Sequence, residues 1–101
     1  MIVIPRVHRE SVLDIQDVEL EAVYRLAKQV TRAAAIAFGA VGANIYQNNG
    51  SRAGQHEPHL HVHVVPRYAN SDSTKIFLQQ DYLVSSLEEQ RAVADAIRAA
   101  M

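Results

Sequence analysis

Three histidines alternate with aliphatic residues in the run His59-Leu60-His61-Val62-His63-Val64-Val65, and His56 stands just before them. The chain carries five histidines in all, and four of them fall between positions 56 and 63. Strict alternation predicts a half-buried strand over 59–65, closed by Pro66. Alternate side chains of a strand share a face at intervals of about 6.5–7 Å, so the three imidazoles line one side of a sheet. That row has several readings. Histidines can be satisfied core residues, or they can decorate a wet face, although lysine, threonine and glutamate are commoner there. Neutral imidazole also ligates zinc, but consecutive same-side positions splay the outer two rings apart and need neighbouring strands to complete a site. The remaining chemistry is phosphoryl transfer, in which a neutral imidazole attacks phosphorus and divides one displacement into two. It requires a group to fix the tautomer, a group to serve the departing atom, and donors for the phosphate oxygens. The loop before the strand offers Asn48, Ser51, Gly54 and Gln55, with Gly54 allowing close backbone approach.

Elements that could position this row can be read from the rest of the chain. Ile2-Val3-Ile4, stopped by Pro5, reads as a short strand. After a connector over 10–16, Gln16, Asp17 and Glu19 mark a helix start with acid in its first turn. Leu20, Val23, Tyr24, Ala27, Val30, Ala34 and Phe38 recur at helical spacing, and Gly39 is the expected stop. A strand over 43–47 leads to the turn signal Asn48-Asn49-Gly50. Residues 69–80 read as a polar loop, and Ser86-Leu87-Glu88-Glu89 opens a last helix running through Arg98. The pattern predicts one α+β domain over residues 1–101, an antiparallel sheet with one long helix and a C-terminal helix.

Composition removes several classes. Ten basic and eleven acidic residues leave a net charge of -1, which excludes nucleic-acid binding through charge alone. The chain has no cysteine, so disulfides, thiolate catalysis and cysteine zinc sites are excluded. No apolar run reaches the length of a membrane span, and Met1 to Pro5 lacks a signal peptide's basic start; a cytosolic protein is expected.

The histidine run resembles the defining motif of the histidine triad (HIT) superfamily. Val3-Ile4-Pro5-Arg6-Val7-His8 is similar to that family's strand ending in proline, a basic residue and histidine. Asn44 to Gly50 and Ala53-Gly54-Gln55 match the approach to the triad in order and spacing, so the resemblance covers residues 2 to about 68. It implies a HIT-like fold and a nucleotide hydrolase or nucleotidyl transferase acting on the α-phosphate of a nucleoside phosphoramidate or dinucleoside polyphosphate. By position His61 is then the nucleophile, His63 meets the phosphate or departing group, and His59 helps to orient the nucleophile. His8 matches a further active-site histidine, and Asn48, Gly54 and Gln55 match the substrate-binding loop. No metal or other cofactor is implied; a small nucleotide is the partner, and a homodimer is expected. A nucleotide-binding or scaffold protein with little turnover, and a histidine metal-binding protein, stay open as alternatives. Pro66-Arg67-Tyr68 leans toward the dinucleotide-polyphosphate side of the family. His56 stands where relatives often carry serine, threonine or an acidic residue, and its role is open. The resemblance also implies a segment before the first strand that holds much of the nucleoside pocket, and by it residues 1–101 are expected to be an N-terminally short HIT-like domain.

Overall fold

The computed structural model describes residues 1–70 and 86–101. Within them the order is β1 (Ile2–Val3), α1 (Asp17–Phe38), β2 (Gly42–Tyr46), one 3-10 turn (Ser51–Ala53), β3 (Val62–Arg67) and α2 (Leu87–Ala100). The strands form an antiparallel sheet in the order β1-β3-β2, with α1 and α2 packed together on one side of it. This is the expected α+β architecture. The polar loop expected over 69–80 lies, from residue 71 onward, outside the described residues.

Helix α1 starts where Glu19 folds back to accept the Gln16 N–H at 3.0 Å. The same carboxylate holds Arg9 through two hydrogen bonds of 2.9 and 3.1 Å, which ties the helix start to the chain leaving β1. The helix ends at Gly39, whose φ of +71° is left-handed and whose N–H donates to the Ala35 carbonyl at 3.1 Å. Its inner face buries Val23, Ala27, Val30, Ala33 and Ala34. Three of these five are alanines, so β3 and α2 can approach the helix backbone closely. Tyr24 and Phe38, expected in the buried stripe, lie at its margins and stay 43% and 39% exposed. Helix α2 is capped by Ser86, whose Oγ accepts the Glu89 N–H at 3.1 Å, and it buries Ile97 against the same core.

The central strand differs from the expectation at both ends. The β3 ladder begins at Val62, not His59, and it continues past Pro66 to Arg67. Its limits follow its partners: β2 pairs with residues 63–67, Tyr46 facing His63 and Gly42 facing Arg67, whereas β1 pairs only with Val62 and His63. Pro66 is tolerated because β3 alternates its backbone groups. The Val64 N–H donates to the Met1 carbonyl on the side away from β2, and Pro66 faces that same side, so its missing N–H leaves the β2 ladder intact. Residues 59–61 keep the alternation without a ladder. Leu60 is fully buried, and its N–H donates to the Arg9 carbonyl at 2.6 Å. Leu60, Val62 and Val64 form the floor of the core against α1, which leaves the three histidines on the opposite face. Asn48-Asn49-Gly50 is not a two-residue hairpin; it opens the long loop that joins β2 to β3. Among the described residues, no helix is long and apolar enough to cross a membrane.

Candidate active site

An open cleft of about 340 Å³ runs along the outer face of the sheet, lined by Ile2, Ile4, Glu57, His59, His61 and His63. The register explains the membership. Ile2 faces His63 across the β1–β3 ladder, so it shares that side of the sheet, while Val3 between Ile2 and Ile4 turns into the core.

The hydrogen bonds assign the imidazole tautomers. His61 Nδ1 lies 2.9 Å from the His59 carbonyl. A carbonyl only accepts, so Nδ1 carries the proton and Nε2 of neutral His61 bears the lone pair. His59 Nε2 lies 3.2 Å from the Pro5 carbonyl and is protonated by the same argument. The Nδ1 of neutral His59 is therefore an acceptor, and it receives the Nδ1–H of His8 at 3.1 Å. The structure thus joins His8 to the row through His59. It also shows that the backbone of His59, rather than its ring, holds His61.

His63 sits at the other end. Its ring stacks on Tyr46, 4.4 Å away and 10° from parallel, and meets His61 edge-on at 4.9 Å. Burial, followed by the like charge of His61, pushes its pKa below the ordinary value of 6.5. The unfolded chain therefore takes up a proton at His63 before the folded chain does. Stability should fall as pH drops below about 6.5 and level off beneath the folded value. Thermal unfolding between pH 7 and 5 should show this slope, and His63→Gln should flatten it; an unchanged slope in the variant would locate the titration elsewhere.

The expected phosphate loop is mostly engaged with itself. Gln55 is buried: its Oε1 accepts the Gly50 N–H at 2.7 Å, and its Nε2 donates to the Glu10 and Glu57 carbonyls at 2.6 and 2.8 Å. The N–H groups of Ala53 and Gln55 both donate to the Gly50 carbonyl, and that of Gly54 donates to Ser51. A phosphate would have to displace these bonds to use Gln55 or the Gly54 backbone. Asn48 makes one long contact, from Nδ2 to the Gly54 carbonyl at 3.4 Å. Ser51 and His56 are exposed. Gly54 has φ +92°, and a Cβ there would stand 3.2 Å from Asn48 Nδ2. Gly54→Ala is expected to lower stability by about 1–2 kcal/mol through that backbone strain, read as a fall in Tm. A Tm equal to the parent's would refute it.

Two lining or flanking residues were not singled out by the sequence reading. Tyr46 reaches His63 through the cross-strand register, which local spacing does not reveal. Glu57 could have been found, because it extends the alternation 59, 61, 63 by one step. Among the described residues, no three histidine, cysteine, aspartate or glutamate side chains converge as a metal site. Both ring nitrogens of His59 and one of His61 are committed to other partners.

The model of the HIT domain family matches residues 1–70. Among curated relatives, Protein hit of Bacillus subtilis (strain 168) is 35% identical over 71 residues, covering 70% of this chain and 49% of that protein. The adenosine 5'-monophosphoramidase of Schizosaccharomyces pombe is 33% identical over 66 residues, covering 65% of this chain and 47% of the enzyme. The asymmetrical bis(5'-nucleosyl)-tetraphosphatase of the same organism is 32% identical over 89 residues, covering 88% and 46%. Among solved structures, a Hit-like protein from Bartonella henselae matches with a TM-score of 0.85 at 27% identity, covering 99% of this chain and 69% of that one. The chain spans about half the length of the curated relatives it matches.

Proposed function

Because the chain belongs to the HIT domain family, we propose that it is a nucleotide hydrolase or nucleotidyl transferase working through His61. One observation carries this reading. The His59 carbonyl holds His61 Nδ1–H at 2.9 Å, so the lone pair of Nε2 remains for attack in the cleft. In the first step Nε2 forms a bond to the α-phosphorus of a nucleoside phosphoramidate or dinucleoside polyphosphate. The bond from phosphorus to the leaving nitrogen or oxygen breaks, and its electron pair departs with that atom. A leaving amine also takes a proton from water in the open cleft. Water then attacks phosphorus and the N–P bond breaks. His61 recovers its lone pair, the water's second proton goes to solvent, and a nucleoside monophosphate is released.

The other histidines take supporting roles in this scheme. His59 and His8 stand as a hydrogen-bonded pair that anchors the strand carrying the nucleophile. His63, kept from protonation by its burial, donates one N–H to the phosphate or the departing group. Relatives named as a phosphoramidase and as a tetraphosphatase support both substrate classes. A homodimer belongs to the same proposal, with exposed Ile36, Phe38, Val41 and Ile45 as apolar surface for it. The test is to trap the intermediate. Adenosine 5'-phosphoramidate labelled at phosphorus should leave acid-labile label on the chain during turnover, and turnover without any such label would overturn a covalent histidine route.

A further inference from the structure

His63 sits in a slot made by three neighbours. Ile2 faces it across the β1–β3 ladder and Tyr46 across the β2–β3 ladder, so both side chains stand on its side of the sheet. Along its own strand, the His61 ring meets it edge-on, with centroids 4.9 Å apart and planes at 71°. Tyr46 meets it face-on, 4.4 Å away and 10° from parallel. His63 lines the cleft, and Tyr46 stands behind it, outside the lining.

The three neighbours differ in what they can fix. Ile2 is aliphatic and 60% exposed, and an aliphatic surface prefers no particular angle to an imidazole plane. His61 does hold an angle, but in the route proposed above it forms and breaks a bond to phosphorus, so its charge and position change in each turnover. Tyr46 takes no part in that chemistry, and a parallel stack loses contact when either ring turns. Its backbone is also held on both sides. Residue 46 closes the β2 ladder opposite His63. Just beyond it, Gln47 and Asn49 pair their side-chain amides through bonds of 2.6 and 3.0 Å, and Asn49 Oδ1 also accepts the Val12 N–H at 2.8 Å. The tyrosine is therefore the one fixed reference for the His63 ring among these three.

We propose that Tyr46 is a positioning residue: it fixes the plane of the His63 ring, and with it the direction of the N–H that His63 offers to the phosphate or the departing group. This rests on the His61 reading above. Tyr46→Leu removes the stack but keeps an apolar side chain. It should lower kcat/KM for adenosine 5'-phosphoramidate about tenfold, the size of a lost aromatic pair with a small misplacement of a working group. Tyr46→Phe keeps the ring and should recover the rate to within about threefold of the parent. A double-mutant cycle with His63→Ala separates positioning from a structural role, each chain being assayed below the onset of its own melt. Because Tyr46 acts through the imidazole, Tyr46→Leu should cost less than about twofold once the imidazole is gone. The full loss persisting in that background overturns the proposal, since the tyrosine would then serve the fold or the substrate directly. A Phe variant as slow as the Leu variant also overturns it, because the hydroxyl and not the stack would be at work. So does a Leu variant as fast as the parent. Calorimetric titration of the same chains with adenosine 5'-monophosphate reads the coupling without turnover. Coupling in Kd from a chain that turns nothing over keeps Tyr46 as the residue orienting His63 toward a phosphate and removes the enzymatic scheme. Turnover with additive losses removes the role of Tyr46 and leaves the His61 mechanism standing. Neither binding nor turnover overturns both.

Discussion

His61→Asn is expected to lower kcat/KM for a nucleoside phosphoramidate by roughly 10³-fold or more, and to abolish the acid-labile label. The size follows from what His61 supplies. Its Nε2 lone pair forms the only covalent bond between chain and substrate in the proposed route, and an asparagine amide nitrogen has no nucleophilic pair to replace it. The fold should survive the change. His61 is half-buried on the outer face, whereas its neighbours Leu60 and Val62 hold the core at 0% exposure. An asparagine Nδ2–H can still donate toward the His59 carbonyl that His61 now uses. The variant should therefore unfold within about 1 kcal/mol of the parent, as expected for substitutions away from the core. Activity retained to within tenfold, in a chain with unaltered Tm, would assign the nucleophile to another group. A chain that had lost its fold would show it as an early melt, so the two causes of inactivity are told apart.

Much of this site was legible because alternation is a local property. The pattern 59, 61, 63 predicts one face for the histidines and another for Leu60, Val62 and Val64, and the burial follows it. The same logic placed α1, whose apolar spacing survives in Val23, Ala27, Val30 and Ala34. What escaped depends on register and on non-local bonds. The limits of β3 are set by how much of β1 and β2 lies beside it, so a Pro66 that looked like an end sits inside the strand. Tyr46 stacks on His63 because residue 46 pairs with residue 63, a register that no run within either strand encodes. His8 reaches His59 because Leu60 and Gln55 bond the carbonyls of Arg9 and Glu10, which draws the chain after β1 alongside the triad. A family resemblance names such residues, but the bonds that carry them there are visible only in three dimensions.

Gln55 is the residue whose meaning changes most, and Gln55→Leu is the second large effect expected. Sequence order places it in a phosphate-binding loop, yet its side chain joins three backbone segments, at Gly50, Glu10 and Glu57. Leucine keeps the bulk and loses all three bonds, leaving a buried N–H and two carbonyls to find water. At about 1 kcal/mol for each lost bond, with some desolvation penalty remaining, the loss should total roughly 2–4 kcal/mol. In a domain of this size that is a fall in Tm of about 10–20 °C. Gln55→Glu separates the two roles. Its carboxylate can still accept the Gly50 N–H, but it faces two carbonyl oxygens, which disfavours its charged form and raises its folded pKa above the unfolded carboxylate value near 4.3. The stability lost through the charged form is therefore present at pH 7 and recovered, relative to the parent at the same pH, as the pH falls toward 4. A phosphate-contacting Gln55 makes the opposite prediction, a raised KM in both variants with Tm unchanged.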